Sequence, residues 1–136
     1  MSTRELPNSS RLDFPVATDL DMVVAFPEAG RVLMTATTEE RHLNPHGSVH
    51  GAAVFALVDT SMGAATVSVL DEGLRCASIE VQLRFLKAVH PGPLRAETAV
   101  VHQGKRVVQL ESKVYDGDDA LVATAAGSFA VIPPKS

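Results

Sequence analysis

The sequence predicts an α+β domain in which an antiparallel β-sheet wraps around one long central helix. Three observations carry this reading. The apolar run from Ala52 to Leu70 places Val54, Leu57, Val58, Met62, Ala65 and Val69 at the 3.6-residue period of a helix. Nearly every other ordered stretch alternates apolar and polar residues at the two-residue period of a strand, cut by turn formers. The helix is also rich in small residues (Ala52, Ala53, Ala56, Gly63, Ala64), which lets other elements approach it closely on several sides.

Residues 1–19 are expected to be an N-terminal segment, partly disordered or loosely docked, because they are polar and lack periodicity. A single domain over 20–134 follows. It opens with two strands, 21–27 and 31–38, joined by the turn Pro27-Glu28-Ala29-Gly30. A His-, Asn- and Gly-rich loop leads into the helix, of about 20 residues. A four-strand meander is then predicted. In 78–86, Ile79, Val81, Leu83 and Phe85 alternate with Glu80, Gln82 and Arg84. His90-Pro91-Gly92-Pro93 breaks the pattern, 94–102 and 106–115 flank a turn at Gln103-Gly104-Lys105, and Asp116-Gly117-Asp118-Asp119 leads into 120–132.

Composition narrows the function. A net charge of −4 with 4% aromatics and no Trp argues against a nucleic-acid partner. Asp59 stands at the centre of the one long apolar run, and a mid-membrane Asp costs about 3 kcal/mol, so no membrane partner is expected. The opening residues hold no apolar core of signal-peptide length, and the lone Cys76 excludes an internal disulfide. A cytoplasmic location is expected, with Cys76 acting as a small core hydrophobe.

The candidate site residues cluster in and around the helix. His42-Leu43-Asn44-Pro45-His46-Gly47-Ser48-Val49-His50-Gly51 is built of turn formers and polar side chains at a helix start. Free N–H groups and about half a positive charge gather there, suited to a carbonyl oxygen that becomes an oxyanion. Glycine at 51 lets a bulky acyl group come close. Asp59, the only charge in 52–70, shares its helical strip with Phe55 and Gly63, an apolar setting that raises a carboxylate's pKa and basicity. Phe55 and Gly63 are expected to bind substrate. A blander reading has Asp59 satisfied by Thr60 or Ser61, Asn44 capping its own loop and His50 making a structural hydrogen bond.

Metal and triad chemistry fit less well. His46 and His50 have i, i+4 spacing, but Gly47 and the loop composition argue against a helix there. No Gly-x-Ser-x-Gly elbow surrounds Ser48 or Ser61. Neither a metal nor a bound cofactor is expected.

The pattern His42-x-Asn44-x-x-Gly47-x-x-His50-Gly51, followed by Phe55-x-Leu57-x-Asp59, resembles the hotdog-fold acyl-CoA thioesterases of the phenylacetate-degradation type. The resemblance extends from about residue 20 to 132 and includes the Gly104-Lys105-Arg106 turn. It implies a hotdog fold and hydrolysis of an acyl- or aroyl-CoA, with coenzyme A entering only as part of the substrate. By position it makes the Gly51 N–H the oxyanion donor and Asp59 the nucleophile or general base. It likewise makes Asn44 the group that positions water or the substrate carbonyl, His50 a support for the loop, and Ser78 a hydroxyl that assists the water. Ala52 stands where the family often has a second glycine. Among the basic residues Arg84, Lys87, Lys105 and Arg106, the last two are expected to meet the coenzyme A phosphates. Two other activities on the same fold are a non-catalytic acyl-CoA-binding module and an acyl-thioester hydratase or dehydratase. The latter needs a His–Asp or His–Glu pair that is not found around this helix.

Spacing adds an assembly. Eight residues at about 1.5 Å each separate Gly51 from Asp59 by roughly 12 Å along one helix, so both cannot reach one carbonyl carbon from the same chain. A homodimer with its site at the interface is expected, doubled to a tetramer in many relatives of this type.

Overall fold

A computed structural model describes residues 8–134. A short strand β1 (Ser10–Arg11) and helix α1 (Pro15–Asp19) precede β2 (Val23–Glu28) and β3 (Arg31–Thr38). A 3₁₀ turn at Glu40–His42 leads to α2 (Gly51–Val67), and β4 (Arg75–Phe85), β5 (Gly92–Gln103), β6 (Val107–Asp116) and β7 (Leu121–Ile132) complete the chain. The strands form one antiparallel sheet in the order β1-β2-β3-β5-β6-β7-β4.

That order corrects the expected meander. Of the four strands after α2, only β5, β6 and β7 run as neighbours in sequence. β4 pairs with β7 at the far edge, Leu83 opposite Ala125, instead of with β5. The cause is α2, whose 17 residues span about 25 Å and carry the chain across the sheet before β4 begins. The helix is also shorter than expected, ending at Val67. Val69 N–H donates to Thr66 O and Leu70 N–H to Val67 O, so the last turn tightens and the run to Leu70 leaves the helix.

The sheet curls around the helix because α2 buries residues on more than one side. Leu57, Val58, Met62 and Ala65 are fully buried against Met34, Ala96, Val108 and Val114 from the sheet. Each large aliphatic side chain removed from water in this way contributes about 1.5–3 kcal/mol. Ser61, Thr98 and Ser112 are buried too, and each is satisfied: Ser61 Oγ lies 2.8 Å from Thr98 Oγ1, which lies 2.8 Å from Ser112 Oγ. Residues 1–7 of the expected N-terminal segment lie outside the described residues. The rest of that segment packs against the domain, with Ala17 fully buried and Leu20 and Met22 beside it in the core. Thr37 N–H donates to Leu20 O (2.7 Å), tying the end of α1 to β3.

Candidate active site

The loop before α2 is held by its own asparagine. Asn44 Oδ1 accepts from His46 N–H (2.9 Å) and Ser48 N–H (3.1 Å), while Asn44 N–H donates to Ser48 O (2.7 Å). The carbonyl half of the side chain therefore shapes the loop, which leaves its amide donors for other work. The structural reading of His50 holds as well: it is the N-cap of α2, and its Nδ1 accepts from Ala52 N–H at 2.9 Å. Gly51 N–H, the first of the helix, has no acceptor within the helix and none elsewhere among the described residues.

Asn44 and Gly51 open onto one groove of about 560 Å³, lined also by Phe85 at the end of β4 and by Leu86 and Lys87 just after it. Phe85 and Lys87 are the residues the expected site lacks. The aromatic ring packs directly on the Gly51 backbone, a contact across 34 residues of chain that no local pattern announces.

Asp59 lies two turns further along α2 and does not line that groove. It is half-buried, and its Oδ1 is buried without a hydrogen-bond partner. Ser61 does not satisfy it, because that hydroxyl donates to Val58 O and contacts Thr98. Burial pushes the Asp59 carboxyl above its ordinary value, and the Ser78 hydroxyl facing it pulls it back only in part. The same carboxylate, after burial, helps push the Cys76 thiol up.

A β-bulge brings Ser78 to Asp59. The β4–β7 register pairs Ser78 with Phe129 but Glu80 with Ser128, leaving Ile79 as an extra residue. The expected alternation put Ile79 on the same inward face as Val81 and Leu83. Instead Ile79 is 57% exposed; before the bulge Cys76 packs on the core and Ser78, though exposed, presents its hydroxyl to Asp59, and after it Val81 and Leu83 pack on the core. Re-aiming a side chain in this way is what bulges do next to active sites.

Beyond Asp59, a second groove of about 580 Å³ runs along α2, walled by Gly63, Val67, Phe14, Phe26 and Cys76. Its walls are almost entirely apolar. Phe55 is exposed on α2 and lines neither groove, and neither do Lys105 and Arg106, which occupy the β5–β6 turn. That turn sits by the C-terminal end of α2, where Gln103 Nε2 donates to Val69 O (3.0 Å), at the other end of the helix from Gly51. Among the described residues, no three His, Cys, Asp or Glu side chains are grouped to hold a metal ion, and no helix is long and apolar enough to cross a membrane.

One chain thus carries an amide-lined groove at the start of α2 and a desolvated carboxylate two turns on. The model of the thioesterase superfamily matches residues 46–123, a span that holds Gly51, Asp59 and Ser78. The chain belongs to the thioesterase superfamily. Relatives and solved structures agree. Acyl-coenzyme A thioesterase PaaI of Escherichia coli strain K12 is 30% identical over 101 residues, covering 74% of this chain and 70% of that protein. The structure of E. coli PaaI, from the phenylacetic acid degradation operon, superposes with TM-score 0.80 at 28% identity over 88% of this chain and 85% of that one. BH2602 of Bacillus halodurans, solved with CoA, is 32% identical with TM-score 0.71, over 74% of this chain and 66% of that one. The SSO1253 protein of Saccharolobus solfataricus is 36% identical over 85 residues, a match spanning 62% of this chain but 56% of SSO1253. This thioesterase is a PaaI-like thioester hydrolase with a hotdog fold, as the motif around His50-Gly51 implies.

Proposed function

We propose that this thioesterase hydrolyses an acyl-CoA or aroyl-CoA to the free acid and coenzyme A at a site shared by two chains. The observation that carries the reading is the buried, unpartnered Oδ1 of Asp59 on the same helix as the free Gly51 N–H. A carboxylate is costly to desolvate, and functional sites are where that cost is retained. Gly51 N–H receives the thioester oxygen as it becomes an oxyanion, worth about 100- to 1000-fold in rate for such a donor. Asp59 of the second protomer either takes the proton of the attacking water, or attacks the carbonyl carbon to form a mixed anhydride that water then hydrolyses to the free acid, with Ser78 beside it. The thiolate of coenzyme A leaves and is protonated. Asn44 offers its amide donors to the water or the substrate carbonyl, and His50 holds the loop. The CoA found with BH2602 supports the leaving group assigned here.

Two chains are needed because Gly51 and Asp59 stand roughly 12 Å apart on α2. The surface is suited to pairing. β4 is an 11-residue edge strand with no second strand partner among the described residues. Large apolar side chains stay exposed on it and on the open side of α2, including Ile79, Phe85, Val67 and Phe55. Edge strands of this length are blunted or paired in stable proteins. A two-fold pairing with antiparallel helices lays each Asp59 by its partner's Gly51, and it brings Lys105 and Arg106 from the end of one α2 towards coenzyme A phosphates at the start of the other. The dimer pairs again into a tetramer, and the unpaired Cys76 fits a cytoplasmic location.

Mixing two inactive variants tests the arrangement. Asp59→Asn and Gly51→Ala chains, unfolded and refolded together, regain about a quarter of wild-type thiol release, because half the dimers are mixed and each holds one intact site. No recovery on mixing, with the parents dead, returns the site to a single chain. Equal thiol release by wild type and Asp59→Asn over a panel of acyl-CoAs removes the enzymatic reading.

A further inference from the structure

The loop that presents Asn44 and Gly51 is fixed from outside the site by a pair of side chains the reaction does not use. His42 is nearly buried, its side chain 9% exposed. Its Nδ1 accepts from Glu39 N–H at 2.9 Å, so the neutral ring carries its proton on Nε2 and points it at Asp19 Oδ2, 2.8 Å away. Asp19 is the last residue of α1, and Arg41 binds it twice more, through Nε to Oδ1 (3.0 Å) and Nη2 to the backbone carbonyl (2.8 Å).

On its other side, His42 carries the site. Its backbone carbonyl accepts from His50 N–H at 2.7 Å, and His50 is the N-cap immediately before Gly51. A bridge between Leu43 and Val49 closes the loop just inside this bond. From the Asp19 carboxylate to the Gly51 amide there are therefore only two intermediaries, His42 and His50. The far end is firm, because Ala17 and Leu20 seat α1 in the core.

We infer that Asp19 is a positioning residue for the Gly51 end of the site, acting through His42 on the direction of the Gly51 N–H. This rests on the reading of Gly51 as the oxyanion donor. An exposed ion pair such as Asp19–Arg41 contributes little to stability, so the pair matters for geometry. A donor displaced by an ångström from a developing oxyanion loses much of its effect. The hydrogen bond from His42, ahead of that from Arg41, holds the Asp19 carboxyl below its ordinary value.

The test uses the full chain with Asp19→Ala, His42→Ala, His42→Gln and, as a control on the same segment, Asp21→Asn. Amide NMR without substrate reads the Gly51 and His50 resonances, and thiol release reads kcat and KM. Expected are shifted Gly51 and His50 amides in Asp19→Ala and His42→Ala, and a kcat about ten- to a hundredfold lower with KM little changed. The melting temperature of Asp19→Ala falls by less than about 4 °C. His42→Gln, whose amide still donates to Asp19, recovers most of the kcat, and Asp21→Asn matches wild type. An unmoved Gly51 amide or a wild-type kcat in Asp19→Ala overturns the inference. The NMR arm decides it even if wild type releases no thiol, a result that counts against the proposed reaction instead.

Discussion

The Phe85 ring occupies the space that a side chain on residue 51 needs: a Cβ built on Gly51 meets Phe85 Cζ at 2.9 Å. Phe85 is 55% exposed and Cζ is the tip of its ring, so the ring has room to swing aside. Gly51→Ala is expected to act twice. The methyl pushes the exposed ring aside at a cost of about 0.5 kcal/mol, and in the proposed mechanism it intrudes where the thioester oxygen meets the N–H. Urea unfolding and thiol release separate the two. Adding Phe85→Leu to Gly51→Ala restores stability but not turnover. If the double variant regains activity, steric relief alone explains the glycine.

Asp59 sets how activity and stability depend on pH, and in opposite directions. Its carboxyl is raised by burial above its ordinary value of 3.8. A raised carboxyl binds its proton more tightly in the folded chain, so this contribution to stability is fully present below pH 3.8 and is lost as pH rises through the folded value. At neutral pH the ionised carboxylate is a burden. Asp59→Asn is expected to abolish turnover and yet melt at a higher temperature than wild type at pH 7, the gap closing in acid. In the proposed mechanism activity runs the other way, since there the ionised form does the chemistry and the rate of wild type rises as pH passes the raised value. Thermal melts from pH 3 to 8 check this, and an Asp59→Asn less stable than wild type at pH 7 contradicts a desolvated carboxylate.

The positions of Ser78 and Asp19 show where the sequence is legible and where it stops. Helical periodicity reads the buried stripe of α2 correctly through Ala65, because burial is what creates the period. Turn formers likewise locate the strands within a few residues. Alternation fails at Ile79, since a bulge inserts one residue without changing composition, and the strand reads as regular from Ser78 to Phe85. The strand order fails for a related reason: nothing local to β4 says that α2 has carried it to the β7 edge. The motif brings Asn44, His50 and Gly51 to attention together, but Phe85, Lys87 and Asp19 reach the same loop through tertiary contacts alone.

Ser78 gives a sharper test of that bulge. Its hydroxyl opposes the effect of burial on Asp59, so Ser78→Ala is expected to raise the carboxyl further. The acid limb of the pH–rate profile then moves to higher pH, and thiol release at neutral pH drops. Ile79→Ala, at the exposed extra residue, leaves the limb where it was. Were Ser78 turned outwards, as regular alternation with an inward Ile79 requires, Ser78→Ala would leave the profile of wild type unchanged.

Sheet and helix approach closely at Gly127, opposite Val81 in the β4–β7 ladder just past the bulge. A Cβ there meets Met62 Sδ at 2.6 Å and the Glu80 carbonyl oxygen at 3.3 Å. Met62 is fully buried, so its sulfur has little room to retreat, and the carbonyl belongs to the strand that carries Ser78. Gly127→Ala is expected to destabilise the fold by about 1–3 kcal/mol, read as a lower urea midpoint with an unchanged slope. Pairing it with Met62→Ala removes the clash but opens a cavity, so the double variant loses less than the sum of the two single changes. Strict additivity places the residues out of contact and would refute this packing of α2 on β7.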